Sequence, residues 1–160
     1  MSEKKFVFKV RRDSQPEPSD FAPLPFSCLD FFSSLQSFIE HNFEGAITVD
    51  FPEAAHGCVV ISPRGFAYFI RVLLSEIYGS RLVTARVYSE KGEITMVISK
   101  VGGLRSKEKL KSIAERSGFS FLEDGDTLIL RTPLRAMGEM FLYAKDNFRL
   151  INYFYEVFLM

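Results

Sequence analysis

The sequence predicts an α+β domain, and three features carry that expectation. Large apolar residues recur at helical spacing in two segments, Cys28 to Ile39 and Phe66 to Ile77. Two further segments, 82–99 and 119–131, read as short strand pairs about Glu90-Lys91-Gly92 and Asp124-Gly125-Asp126. Between these hairpins Gly102-Gly103 breaks the chain ahead of a third helical segment, Lys107 to Arg116. At 160 residues the chain suits one domain, long enough to bury most of its apolar surface.

The elements follow in order. Phe6, Phe8 and Val10 alternate with Lys5, Lys9 and Arg11, the period of a half-buried strand. Residues 13–26 hold four prolines, which fix φ and remove backbone donors, so an extended linker rather than an element is expected there. Residues 1–26 are thus set apart as a strand and a linker. Ser27 opens the next segment with Asp30 three positions on, in the manner of a capping box. Cys28, Phe31, Phe32, Leu35, Phe38 and Ile39 continue a helix to about residue 42, and His41 on its last turn complements the helix dipole. A strand at 46–51, a loop carrying His56 and a short buried strand at 58–61 come next. Ser62 and Pro63 then start a helix as N-cap and first-turn residue, with Phe66, Phe69, Ile70, Leu73, Leu74 and Ile77 on one stripe and Gly79 at its end. In the third helix Leu110, Ile113 and Ala114 face inward, and Gly118 closes it. The tail, 135–160, carries Met137, Met140, Phe141 and Ala144 at helical spacing. It ends in an apolar run with Phe148, Ile151, Phe154 and Phe158, expected to pack on the domain, on a partner or on a second copy.

Composition narrows the function classes. Twenty basic residues balance twenty acidic ones, which argues against a nucleic-acid partner. The two cysteines, Cys28 and Cys58, form no CxxC pattern, so no zinc site or disulfide framework is expected. His41 and His56 stand in unrelated contexts, with no Ser-His-Asp or metal-ligand spacing, which points away from catalysis. No apolar run approaches the roughly 18 residues that cross a bilayer. The first residues lack the apolar stretch of a signal peptide, so a cytoplasmic protein without membrane contact is expected.

From Ser27 the tally is α-β-β-α-β-β-α-β-β. This succession, over residues 27–134, resembles the ATP-binding domain of sensor histidine kinases in the GHKL superfamily. The resemblance implies a two-layer α/β sandwich, a mixed β-sheet covered on one face by helices. It also implies where a nucleotide would sit. FIRVLLSEI matches the family's VLLNLLSNA, so Val72 stands for the first asparagine and Glu76 for the Mg²⁺-binding one. SKVGGL matches DNGPGI, with Ser99 in place of the adenine-reading aspartate and Gly103 on the second glycine. In the family a flexible lid then leads to a GLGL motif whose backbone wraps the phosphates. Here RSKE alone follows Leu104, with Lys107, Lys109 and Lys111 as the nearby cations.

The hydrophobic register is retained while these motifs are altered. The resemblance therefore implies a domain without ATP or Mg²⁺, serving as an inactive regulatory or protein-interaction module in bacterial-type signalling. The alternative is an unorthodox nucleotide or small-molecule binder. It would use the cleft between Glu76 and Gly102-Gly103, with Ser99 reading the base.

Overall fold

The computed structural model describes residues 21–43, 47–50, 57–77, 82–135 and 155. The expected strand at Phe6–Val10, His56, Gly79 and the tail residues Phe148, Ile151, Phe154 and Phe158 lie outside them. Among the described residues ten elements follow one another: β1 (Leu24–Ser27), α1 (Cys28–Asn42), β2 (Ile47–Asp50), β3 (Cys58–Ile61), α2 (Pro63–Ile77), β4 (Val83–Glu90), β5 (Glu93–Ser99), α3 (Lys107–Arg116), β6 (Ser120–Asp124) and β7 (Thr127–Pro133). The fold is α+β, as expected. The main sheet has five strands in the order β2-β4-β5-β7-β6, and β1 and β3 form a separate antiparallel pair. Because β2 runs parallel to β4 and the other neighbours are antiparallel, the main sheet is mixed.

Alternation along the strands decides which face is buried. Val83, Ala85 and Val87 of β4, Ile94, Met96 and Ile98 of β5, and Leu128 and Leu130 of β7 join the core with the apolar sides of all three helices. On the other face Arg86 and Tyr88 are exposed and Thr84 is half-buried. The helices thus cover one face. Phe66 stands at the centre of the helical layer, its ring 5.6 Å from Phe31, 6.0 Å from Phe69 and 5.1 Å from Phe119.

Local chemistry explains the boundaries. The Ser27 hydroxyl accepts from the Asp30 N–H at 3.4 Å and starts α1. Nδ1 of His41 lies 2.9 Å from the Ser37 carbonyl in the last turn. At α2 the Ser62 hydroxyl accepts from the Gly65 N–H at 2.9 Å. Gly65 also admits the C-terminal end of α3 closely, since a Cβ there would clash with Ser117 Oγ. The β4–β5 hairpin turns through Lys91 and Gly92, at φ 52° and 76°, the paired left-handed conformation of a type I′ turn.

One expectation is corrected. Leu24, Pro25 and Phe26, expected in the linker, form β1 together with Ser27 and pair with β3 from Leu24↔Ile61 to Ser27↔Cys58. Pro25 is tolerated because β1 is an edge strand, where a missing donor costs no ladder bond.

Candidate functional site

The expected site combined Glu76, Ser99, Gly102 and Gly103. Glu76 lies in the last turn of α2, and the chain entering α3 passes beside it. Ser106 is the N-cap of α3, but its own side chain makes no capping bond. The cap comes from α2 instead. Glu76 Oε1 accepts from the Arg105 N–H at 2.7 Å, and Oε2 accepts from the Ser106 N–H at 3.1 Å. The carboxylate thus satisfies the N–H of the N-cap residue and of the residue before it, and stands where the partial positive charge of the helix N-terminus favours an anion.

Gly102 and Gly103 sit in the same connection and serve its path. A Cβ on Gly102 would stand 3.1 Å from Asp126 Cβ, and the neighbouring Val101 N–H donates to the Asp126 carbonyl at 2.8 Å. Gly103 has φ +76° and open space around it, so its need for glycine is conformational. Val101 and Leu104, on either side of the pair, are buried in the core. Ser99 is placed elsewhere. In the register Thr84↔Ser99, Arg86↔Val97, it shares the sheet face of Arg86 and Val97, opposite the helices and therefore opposite Glu76. There it lines a cavity of about 540 Å³ together with Arg86, Val87, Tyr88 and Val97. The structure thus bonds Glu76 to the connection that carries the glycine pair and sets Ser99 on the other face of the sheet.

Lys107 and Lys109 of α3 have partners as well. Lys107 Nζ is 2.8 Å from Glu123 Oε1, and Lys109 Nζ lies 5.5 Å from the centre of the Tyr68 ring. Val72, at the first asparagine position, is buried on α2. Of the tail, Tyr155 is described, and it packs on the domain: its ring meets Phe38 edge-on at 4.8 Å, and its hydroxyl accepts from Asn42 Nδ2 at 3.0 Å. Both cysteines are free and buried, and burial pushes the Cys28 thiol up to about 12, with Cys58 adding to the effect. Among the described residues no group of three or more His, Cys, Asp or Glu is arranged to hold a metal. None of the described helices is long and apolar enough to cross a membrane.

The sequence reading missed the Glu76 cap. One signal for it was present: Ser106-Lys107-Glu108-Lys109 has lysine where a capping box needs Glu or Gln, so α3 needs an acceptor from outside itself.

No family model matches the chain, and no curated protein does either. Among solved structures, a histidine kinase from Burkholderia phymatum is 13% identical over 71% of this chain and 72% of its own, with a TM-score of 0.45. The Acinetobacter baumannii histidine kinase AdeS is 12% identical over 71% of this chain and 66% of its own, with a TM-score of 0.47. The histidine kinase domain of the E. coli osmosensor EnvZ is 11% identical over 83% of this chain and 99% of its own, with a TM-score of 0.45. The likeness to these histidine kinases is one of fold alone.

Proposed function

We propose that this domain works without a nucleotide, as a regulatory or protein-interaction module in signalling of the bacterial type. One observation carries the reading: the carboxylate of Glu76 is spent on the backbone N–H groups of Arg105 and Ser106. The resemblance assigns the Glu76 position to Mg²⁺ and the start of the following helix to phosphate. Here the protein's own anion joins the two. A triphosphate brought to that helix end would meet a negative carboxylate already bonded to the Arg105 and Ser106 N–H groups. Lys107 and Lys109, held by Glu123 and Tyr68, support the same reading.

A second reading, a small-molecule binder, is favoured by the cavity of about 540 Å³ beside Ser99, Arg86 and Tyr88. Its size suits a small ligand. It lies on the opposite sheet face from Glu76, so the two readings concern different places. Thermal unfolding with a panel of nucleotides and small metabolites separates them. A ligand at 100 times its dissociation constant adds about 2.7 kcal/mol to stability. The first reading expects no nucleotide to raise Tm. A rise that is lost in Ser99→Val, and kept in Glu76→Ala, would favour the second.

A further inference from the structure

β6 is the last strand of the main sheet, and among the described residues no strand pairs with its outer edge. The hairpin to β7 turns through Gly125 and Asp126, with Asp124↔Thr127 as its closing pair. Counting back from that pair, Asp124, Leu122 and Ser120 direct their main-chain groups to β7, and Phe121 and Glu123 direct theirs outward. Among the described residues none bonds to these outward groups. Of the devices that blunt an edge, the strand carries two acidic side chains, Glu123 and Asp124. It holds no lysine or proline, and its register with β7 runs without a bulge from Ser120↔Arg131 to Asp124↔Thr127. Leu122, at its centre, is 51% exposed.

We infer that this edge pairs with the same edge of a second copy, joining the two five-stranded sheets into one across a two-fold axis at Leu122. The choice of a second copy rests on self-complementarity. Antiparallel pairing needs outward-directed residues to face one another, and a two-fold at Leu122 sets Phe121 of each copy against Glu123 of the other. Leu122 then meets Leu122 at the axis as a non-hydrogen-bonded pair, where side chains approach most closely. No like charges lie directly opposite, since Ser120 faces Asp124. On the outer face Ser120 is followed by Arg131, its partner on β7, so the Asp124 carboxylate of one copy approaches the Arg131 side chain of the other across a small serine. Glu123, on the helix side, is already neutralised by Lys107 at 2.8 Å. Such an isologous contact closes at two copies. The strand is five residues long, so the contact is small and the dimer depends on concentration.

Light scattering from low to high micromolar protein tests it, together with two cysteine variants. The native Cys28 and Cys58 are buried and do not interfere. The mass should rise from 18.3 kDa toward twice that value, and Leu122→Lys should hold it at the single-chain value. Leu122→Cys should cross-link to itself under mild oxidation. Asp124→Cys should not, because the two copies of residue 124 stand about 13 Å apart along the paired strands. A single-chain mass at every concentration, a dimer indifferent to Leu122→Lys, or cross-linking that fails to distinguish positions 122 and 124 would overturn the inference. Both exposed positions leave the core intact, so each variant can be checked for native circular dichroism first.

Discussion

Replacing Glu76 by alanine removes both acceptors at the start of α3, the 2.7 Å bond from Arg105 and the 3.1 Å bond from Ser106. A hydrogen bond to a charged group is worth roughly 1.5–3 kcal/mol when well shielded. Arg105 is exposed and Ser106 half-buried, so water takes up part of the loss. Loss of a helix cap costs about 0.5–2 kcal/mol in comparable settings. The expected destabilisation for Glu76→Ala is therefore about 1–2 kcal/mol, or roughly 2–8 °C in Tm for a chain of this size. Glu76→Gln keeps one carbonyl acceptor but no charge, and should fall between the two. Urea unfolding measures the free energy, and amide exchange locates it. Exchange should accelerate at Arg105 and Ser106 and in the first turn of α3, while β4 and β5 stay protected. Stability unchanged to within about 0.3 kcal/mol, or faster exchange spread evenly over the molecule, would refute the assignment of Glu76 as the cap of α3.

Other outcomes follow from the same structure. Cys28 has a thiol pushed from 9.0 to about 12, so both states keep it neutral below pH 9, and only the unfolded chain ionises it between pH 9 and 12. Its contribution is fully present below pH 9 and falls by about 1.4 kcal/mol per pH unit above it. Urea unfolding of Cys28→Ala should show a shallower alkaline decline than the native chain, and equal slopes would contradict the burial. Gly118 has φ +106° and a Cβ there would stand 2.9 Å from the Val60 carbonyl oxygen, so Gly118→Ala should cost about 2–3 kcal/mol by urea unfolding. Thr132 buries its hydroxyl with no hydrogen-bond partner among the described residues. Thr132→Val should therefore stabilise by about 1 kcal/mol, and a loss in the same measurement would mean that the hydroxyl is bonded.

The elements that were legible are those whose cause is local. The apolar stripe of α2 from Phe66 to Ile77 needs only a period of 3.6, and the hairpin at Lys91-Gly92 needs only a residue pair suited to positive φ. The bounds of α3, Lys107 to Arg116, fell where the glycines and Gly118 placed them. What stayed hidden depends on distant partners. β1 was obscured because Pro25 argues against a strand until β3 is known to lie on one side of it. The face taken by Ser99 follows from the β4–β5 register, which its motif position does not reveal. The two bonds of Glu76 join residues 29 and 30 positions apart, beyond the reach of any local pattern. Of the candidate residues, Glu76 meets the backbone ahead of α3 and Ser99 takes the other face of the sheet, and both placements depend on partners distant in sequence.

Calorimetric titration of the chain with ATP and Mg²⁺ tests the central claim most directly. The account predicts no saturable heat up to about 1 mM nucleotide, the range in which binding is worth only about 4 kcal/mol. A saturable isotherm with a micromolar dissociation constant, near 8 kcal/mol, would contradict it.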